Sequence, residues 1–287
     1  MRISGFERLR RTAAPGAIGI CALSLIAAGN ASAAEDASRW DGDARSAVRL
    51  IAGSAAGSVL RAGVEIRLQR GWHTYWRYPG DAGVPPRFDF TGSQNVKAVD
   101  VLWPAPQPIP EHDLVTIGYT GDVILPLAVV PENSARPVKL RLKLDYAVCE
   151  TLCVPAEGKA DLVLTGGSSS QDAALAAAET RVPKKALLGE SAPLAIKSVR
   201  REDGAGGRRV IVDVAAPAGA RITLFAEGPT PDWALPVPKP IDGAPVGLQR
   251  FAFALDGAPP GATYEGIPIS LTAVAGNLAI EVVTRLD

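Results

Sequence analysis

The most regular stretch of the chain is residues 138–155, which read VKLRLKLDYAVCETLCVP. From Val138 to Asp145, every even-numbered side chain is apolar and every odd-numbered one is charged. This two-residue period is typical of a β-strand with one face on a core and the other in solvent. A second alternation includes Leu162 and Leu164. The segment therefore predicts two antiparallel strands joined by a turn that contains both cysteines.

Cys149 and Cys153 lie where the first alternation ends. If the strand register continues to Cys149, its side chain projects from the face opposite the core. A fully extended chain would separate the two Cα atoms by roughly 13 Å, far beyond the roughly 7 Å that a disulfide tolerates. A bond between them therefore requires a turn at residues 150–152. Such a turn places the pair at the tip of a hairpin, outside the packed core.

Three roles are open for these cysteines. A structural disulfide is common in exported proteins, but so small a ring removes little entropy from the unfolded chain. A strained ring at a hairpin tip is easier to reduce, as catalytic disulfides are. Two thiolates can also bind Cu(I), although the only methionine is Met1, and His73 and His112 are far away in sequence.

Residues 1–33 have the three-part pattern of a cleaved secretory signal. A basic head that ends at Arg11 is followed by an apolar run over residues 13–28 and by Ala31-Ser32-Ala33. The apolar run is shorter than the roughly 20 residues that span a bilayer. Cleavage removes Cys21 and leaves the pair alone in the mature chain. We therefore expect a soluble, periplasmic protein that spans no membrane after cleavage.

The overall composition excludes several classes of protein. The 287 residues carry 30 basic and 30 acidic side chains, which gives no field for nucleic acid. Only 3 cysteines and 2 histidines are present, so a disulfide-dense scaffold and a multi-zinc protein are excluded. No P-loop, dinucleotide-binding or metalloprotease motif occurs, and we expect no cofactor. The 29 glycines and 24 prolines favour short strands joined by turns.

These patterns predict an all-β protein with two domains after the signal peptide. We expect an immunoglobulin-like β-sandwich over residues 34–165, and a second, smaller β-sandwich over residues 193–287. Between them, residues 166–192 read as a linker that carries one short helix. A helix packed against the first sandwich is an equally good interpretation of the same alanine-rich segment.

Several motifs before the cysteines resemble a known family. The motifs are GWHTYWRYPGDAG at residues 71–83, PP at 85–86, WP at 103–104, GYTGD at 118–122 and CETLCVP at 149–155. Their order and spacing resemble the N-terminal periplasmic domain of the thiol:disulfide interchange protein DsbD, and more closely the branch found in the copper-sensitivity suppressor protein ScsB. The resemblance covers about residues 45–165 and is weaker over residues 166–287.

This resemblance implies a cysteine pair that cycles between dithiol and disulfide. Cys153 would form the mixed disulfide, and Cys149 would resolve it. Electrons would come from a thioredoxin-like or membrane-embedded reductase and pass to periplasmic proteins that carry disulfides. The membrane domain of such proteins is absent from this chain, so we expect the reductant to be a separate polypeptide. An active protein of this kind is a thiol–disulfide oxidoreductase of the protein-disulfide reductase type.

The alternative function is a non-enzymatic periplasmic binding or scaffold protein. It would act in copper handling, and its cysteines would be structural or would bind Cu(I). The dithiol chemistry of the pair is compatible with both functions.

The family also implies a cap loop that covers the cysteines, here somewhere in Pro108–Tyr119. The family's cap carries a phenylalanine, whereas Leu114 is among the aliphatic candidates in this chain. A histidine in such a loop can shift the pKa of a nearby thiol. The aromatic motif at residues 71–83 is expected to place further side chains near the pair. The residues that we expect to shape the site are Tyr75, Arg77, His112, Leu114 and Tyr119.

Overall fold

The computed structural model describes residues 35–111, 113–204, 207–255 and 257–286. The signal peptide expected at residues 1–33 lies outside the described residues. All described residues belong to one compact unit. Within the described part of the chain, no helix is long and apolar enough to cross a membrane.

The first part of the chain folds into two facing antiparallel sheets. Its strands are β1 (Asp41–Gly42), β2 (Ser46–Ala56), β3 (Val59–Leu68), β4 (His73–Gly80), β5 (Arg87–Asp89), β6 (Val96–Val101), β7 (Gln107–Glu111), β8 (Leu114–Thr120), β9 (Val123–Pro131), β10 (Val138–Cys149) and β11 (Cys153–Leu164). One sheet has the order β1-β2-β3-β9-β6, and the other has the order β11-β10-β4-β8-β7, with β5 paired to β10. The cysteines belong to the second sheet.

Alternating side chains of both sheets form the core of this sandwich. On β10, the even-numbered side chains from Val138 to Val148 are buried, as the sequence pattern predicts. They meet apolar side chains of β3 and β9, such as Val64 and Leu125, in one cluster. The predicted hairpin is confirmed, because β10 and β11 pair in continuous register from Val138↔Leu164 to Cys149↔Cys153.

The alanine-rich segment forms one helix, α1 (Asp172–Glu179), which packs on the first sandwich. Leu175 is fully buried and lies over two glycines of the sheet. A Cβ atom at Gly63 would lie 2.8 Å from Leu175 Cδ2, so this close packing depends on the missing side chain. Arg61 of β3 binds Glu179 through two hydrogen bonds of 2.8 Å. Of the two interpretations of this segment, the packed helix is the correct one.

The C-terminal part of the chain forms a second sandwich with its own core. Its strands are β12 (Lys184–Lys185), β13 (Ala195–Gly204), β14 (Gly207–Ala215), β15 (Ile222–Glu227), β16 (Lys239–Ile241), β17 (Leu248–Ala254), β18 (Pro268–Ala275) and β19 (Leu278–Arg285). They make two four-stranded sheets with the orders β12-β19-β18-β15 and β13-β14-β17-β16. Buried residues such as Phe251 and Leu271 pack between them. The all-β prediction with a second sandwich is confirmed, while the domain boundaries stay a prediction.

Candidate functional site: the disulfide at a hairpin tip

Cys149 and Cys153 form a disulfide at the last pair of the β10–β11 hairpin. Their Cα atoms are 4.1 Å apart, and residues 150–152 make the turn between them. The two cysteines are therefore cross-strand neighbours, which agrees with the hairpin-tip position that the sequence predicts. The bond lies on the sheet face opposite the main core, because Val148 belongs to that core and Cys149 does not.

The two sulfur-bearing residues differ strongly in exposure. Cys149 is 2% exposed and belongs to a small buried cluster with Tyr75 and Ala147. Cys153 is exposed, and the neighbouring Leu152 is 71% exposed. Exchange requires a thiolate to reach one sulfur of the bond. Cys153 is the residue that an incoming thiolate can reach.

Tyr75 is placed on both sulfurs by the pairing of β4 with β10. Cys149 pairs with His73, so Tyr75, two residues further along β4, projects from the same face of the sheet. Its hydroxyl oxygen lies 2.6 Å from Cys149 Sγ and 3.1 Å from Cys153 Sγ. Burial, helped by the negative charge of Glu111, raises the pKa of Tyr75 to about 12. The hydroxyl therefore keeps its proton at neutral pH and can donate it in a hydrogen bond to sulfur.

A glycine of the same motif encloses the Tyr75 ring. Gly83 has a φ of 113°, which favours glycine, and a Cβ atom there would lie 2.4 Å from Tyr75 Cε1. The GDAG end of the motif at residues 71–83 therefore packs directly on the ring of its own tyrosine.

His73 and Glu111 form a second pair of polar side chains beside Tyr75. His73 is buried, and its Nε2 lies 2.7 Å from Glu111 Oε1 without the alignment of a good hydrogen bond. The imidazole packs edge-on to the Tyr75 ring, with 5.5 Å between ring centroids. Neither His73 nor Glu111 is expected in the site from the sequence. The signal for His73 is its position directly opposite Cys149, which becomes visible only once the β4–β10 register is known.

The segment expected to be a cap loop is a β-hairpin made by β7 and β8. Glu111 pairs with Leu114 across its end, and the Glu111 carboxylate reaches His73. Leu114 is 45% exposed at this end of the hairpin. His112, which was expected to lie near the thiols, is outside the described residues. The hairpin therefore contacts the polar side of the site through Glu111, while Leu114 faces solvent.

Arg77 differs from its expected position near the cysteines. The pairing of β4 with β8 shifts between Tyr75 and Gly80, so the strand leaves its regular register after Tyr75. The guanidinium of Arg77 is instead bound by Glu227 and Glu281 of the second sandwich.

Tyr119 projects into the main core and not toward the sulfurs. It lies between Gly118 and Thr120, which pair with Tyr75 and His73 and so share their face. The Tyr119 hydroxyl donates a 2.8 Å hydrogen bond to the Pro104 carbonyl oxygen. The residue supports the Trp103-Pro104 loop and not the sulfurs.

Among the residues whose placement is described, no three or more His, Cys, Asp or Glu side chains are grouped to hold a metal ion.

The part of the chain that contains this site matches a known protein family. Residues 44–165 match the family model described as thiol:disulfide interchange protein DsbD, N-terminal. This part of the chain is similar to a DsbD N-terminal domain. The matched range includes the β4 motif, the β7–β8 hairpin and both cysteines of the β10–β11 hairpin.

The crystal structure of the N-terminal periplasmic domain of ScsB from Proteus mirabilis has a similar fold. The TM-score is 0.68 at 18% sequence identity, and the alignment covers 88% of this chain and 98% of that chain. The structural likeness therefore extends past residues 44–165 into the second sandwich. No curated protein matches the chain in sequence.

Proposed function

We propose that the protein is a periplasmic thiol–disulfide exchange protein that relays electrons through Cys149 and Cys153. A thioredoxin-like or membrane-embedded reductase supplies the electrons, and disulfide-bearing periplasmic proteins accept them. The observation that carries this proposal is the asymmetric disulfide at the tip of the β10–β11 hairpin, with Cys149 buried under Tyr75 and Cys153 exposed. Its position within the part of the chain that is similar to a DsbD N-terminal domain supports the same chemistry.

Reduction of the pair takes place in two steps. A partner thiolate attacks Cys153 Sγ, which forms a mixed disulfide and breaks the bond to Cys149. The Cys149 sulfur leaves as a thiolate, and the Tyr75 hydroxyl, 2.6 Å away in the disulfide form, donates a hydrogen bond to it. The partner's second thiolate then attacks the partner sulfur of the mixed disulfide and releases Cys153. The partner is oxidised to a disulfide, and the pair has gained two electrons and, overall, two protons.

Delivery of the electrons reverses the roles. The Cys153 thiolate attacks the acceptor's disulfide and forms a mixed disulfide with it, which releases one acceptor thiolate. Cys149 then attacks Cys153 Sγ, restores the intramolecular disulfide and releases the second acceptor thiolate. The acceptor becomes a dithiol, and no cofactor is needed in either direction.

The experiment for this proposal compares the two single-cysteine variants. Cys149→Ala keeps the exposed cysteine without its resolving partner, so it should form a stable mixed disulfide with glutathione disulfide and with proteins in a periplasmic extract. Cys153→Ala keeps only the buried cysteine and serves as the matched control, which should react at least tenfold more slowly. Equal rates for the two variants, or no mixed disulfide through Cys153, would contradict the proposed roles.

A further inference from the structure

Strand β4 contacts both the disulfide and the second sandwich. Its first part carries His73 and Tyr75, which lie beside the sulfurs. The next three residues, Trp76, Arg77 and Tyr78, each contact the second sandwich. The strand therefore leads directly from the site to the contact between the two sandwiches.

The central contact is a partly buried ion cluster around Arg77. Arg77 Nε donates a 2.8 Å hydrogen bond to Glu227 Oε2, and Nη2 donates one of 2.6 Å to Glu227 Oε1. Nη2 also binds Glu281, which pairs in addition with Lys185. Glu281 is buried, so its charge needs compensation, which Arg77 and Lys185 supply together. Such two-pronged contacts hold an arginine in a defined orientation.

The residues on either side of Arg77 reinforce this contact. The ring of Trp76 is fully buried and lies 5.8 Å from that of Phe225 on β15, measured between centroids. The Tyr78 hydroxyl donates a 2.5 Å hydrogen bond to the Leu235 carbonyl oxygen. Three consecutive side chains are thus held by the second sandwich.

These contacts hold β4 at a point where it has few backbone hydrogen bonds to the other strands of the first sandwich. β4 pairs with β10 only at His73 and Thr74, and its pairing with β8 is interrupted between Tyr75 and Gly80. The backbone that follows Tyr75 therefore has few strand partners in its own sandwich. Trp76 and Tyr78 also pack in the core of the first sandwich, whereas the side-chain hydrogen bonds of Arg77 go to the second sandwich. The position of β4 just after Tyr75 therefore depends on these side-chain contacts, with Arg77 as the polar link to the second sandwich.

We propose that the second sandwich, through Arg77, positions the Tyr75 hydroxyl on the two sulfurs and thereby shifts the dithiol–disulfide equilibrium of the pair. Arg77 is a positioning residue in this proposal, since it acts through β4. The hydrogen bond from Tyr75 stabilises the thiolate of the reduced state more than the disulfide, because hydrogen bonds to charged acceptors are the stronger ones. The consequence of this shift for electron transfer rests on the proposed function, because thiol–disulfide exchange depends on the dithiol–disulfide equilibrium of the pair.

The test is a double-mutant cycle on the equilibrium of the full chain with glutathione, measured by thiol alkylation. Glu227→Gln removes one charge from the ion cluster, and Arg77→Met removes its centre. Each variant should shift the equilibrium at least threefold toward the disulfide. In a Tyr75→Phe background, the same substitutions should shift it less than 1.5-fold, because the hydroxyl that they position is gone.

Glu179→Gln is the matched control, because Arg61 and Glu179 form a similar two-pronged pair between α1 and β3. It should lower the free energy of unfolding but leave the redox equilibrium unchanged. If Arg77→Met fails to fold, Glu227→Gln alone decides the question. An unchanged equilibrium in Glu227→Gln, or an equal shift with and without the Tyr75 hydroxyl, would overturn the proposal.

These outcomes are independent of the proposed function, because glutathione can reduce the pair whether or not a protein partner does. Absence of exchange with protein partners, together with the predicted cycle, would leave the positioning role intact and remove the proposed function. Normal exchange with protein partners, together with an unchanged glutathione equilibrium in Glu227→Gln, would remove the positioning role and leave the proposed function intact.

Discussion

At the scale of single residues, the chemistry of the site depends on one hydroxyl group and two sulfur atoms. The aromatic motif at residues 71–83 was sufficient to expect Tyr75 near the cysteines. The same motif suggested Arg77, but the register shift after Tyr75 takes that side chain elsewhere. His73 was missed because its place opposite Cys149 depends on pairing between strands that are far apart in sequence.

We predict that Tyr75→Phe makes the reduction potential of the pair about 30 mV more negative. A hydrogen bond to a charged acceptor contributes about 1.5–3 kcal/mol, and about 1.4 kcal/mol corresponds to 30 mV for this two-electron couple. The shift follows because the reduced state loses a donor to its thiolate. Equilibration with glutathione buffers measures it.

Tyr119→Phe is the control for this prediction. It removes a hydroxyl that binds the Pro104 carbonyl oxygen and contacts neither sulfur. Its potential should equal that of the wild type. A Tyr75→Phe potential that is also unchanged would show that the hydroxyl does not stabilise the reduced pair.

At the scale of elements, strands were easier to predict than packing. The β10–β11 hairpin follows from local alternation and from the reach of a disulfide. The docking of α1 does not, because it requires the small residues Gly53 and Gly63 to face Leu175 from two neighbouring strands. The cap segment was recognised by position, but its pairing as β7 and β8 leaves Leu114 exposed and brings Glu111 inward.

We predict that Leu175→Ala lowers the free energy of unfolding by about 3 kcal/mol, within the range measured for buried leucines. The variant loses its apolar contacts and leaves a cavity over the two glycines. Urea unfolding measures the change, with Ala176→Ser, exposed on the same helix, as the control. A loss below about 1 kcal/mol would mean that α1 is not firmly docked on the sandwich.

At the scale of the whole molecule, two sandwiches were predictable from composition and strand patterns, whereas their contact was not. Arg77, Glu227 and Glu281 each look like ordinary strand charges in the sequence. Only the fold brings them together in a cluster beside β4. Burial by itself raises the pKa of Glu281, but hydrogen bonds and charges from Lys185 and Arg77 outweigh it and hold the pKa below the ordinary 4.5.

This lowered pKa predicts a loss of stability in acid. The stabilisation from ionised Glu281 is fully present above the unfolded-state pKa, and it is lost as the pH falls through the lower folded-state pKa. Unfolding free energies of the wild type should therefore decrease as the pH falls below about 4.5. Glu281→Gln should be less stable at neutral pH and show a shallower decrease. Parallel pH curves for the two proteins would contradict the contribution of this carboxylate.

The central claim is that the hairpin-tip disulfide is redox-active, and the reduction potential of the wild-type Cys149–Cys153 pair tests it most directly. The potential is obtained by equilibrating the full chain with thiol–disulfide buffers and counting alkylated cysteines. We expect a value above about −300 mV, in the range of disulfides that are reduced and reformed in exchange. A value well below about −300 mV, typical of inert structural bonds, would contradict the claim.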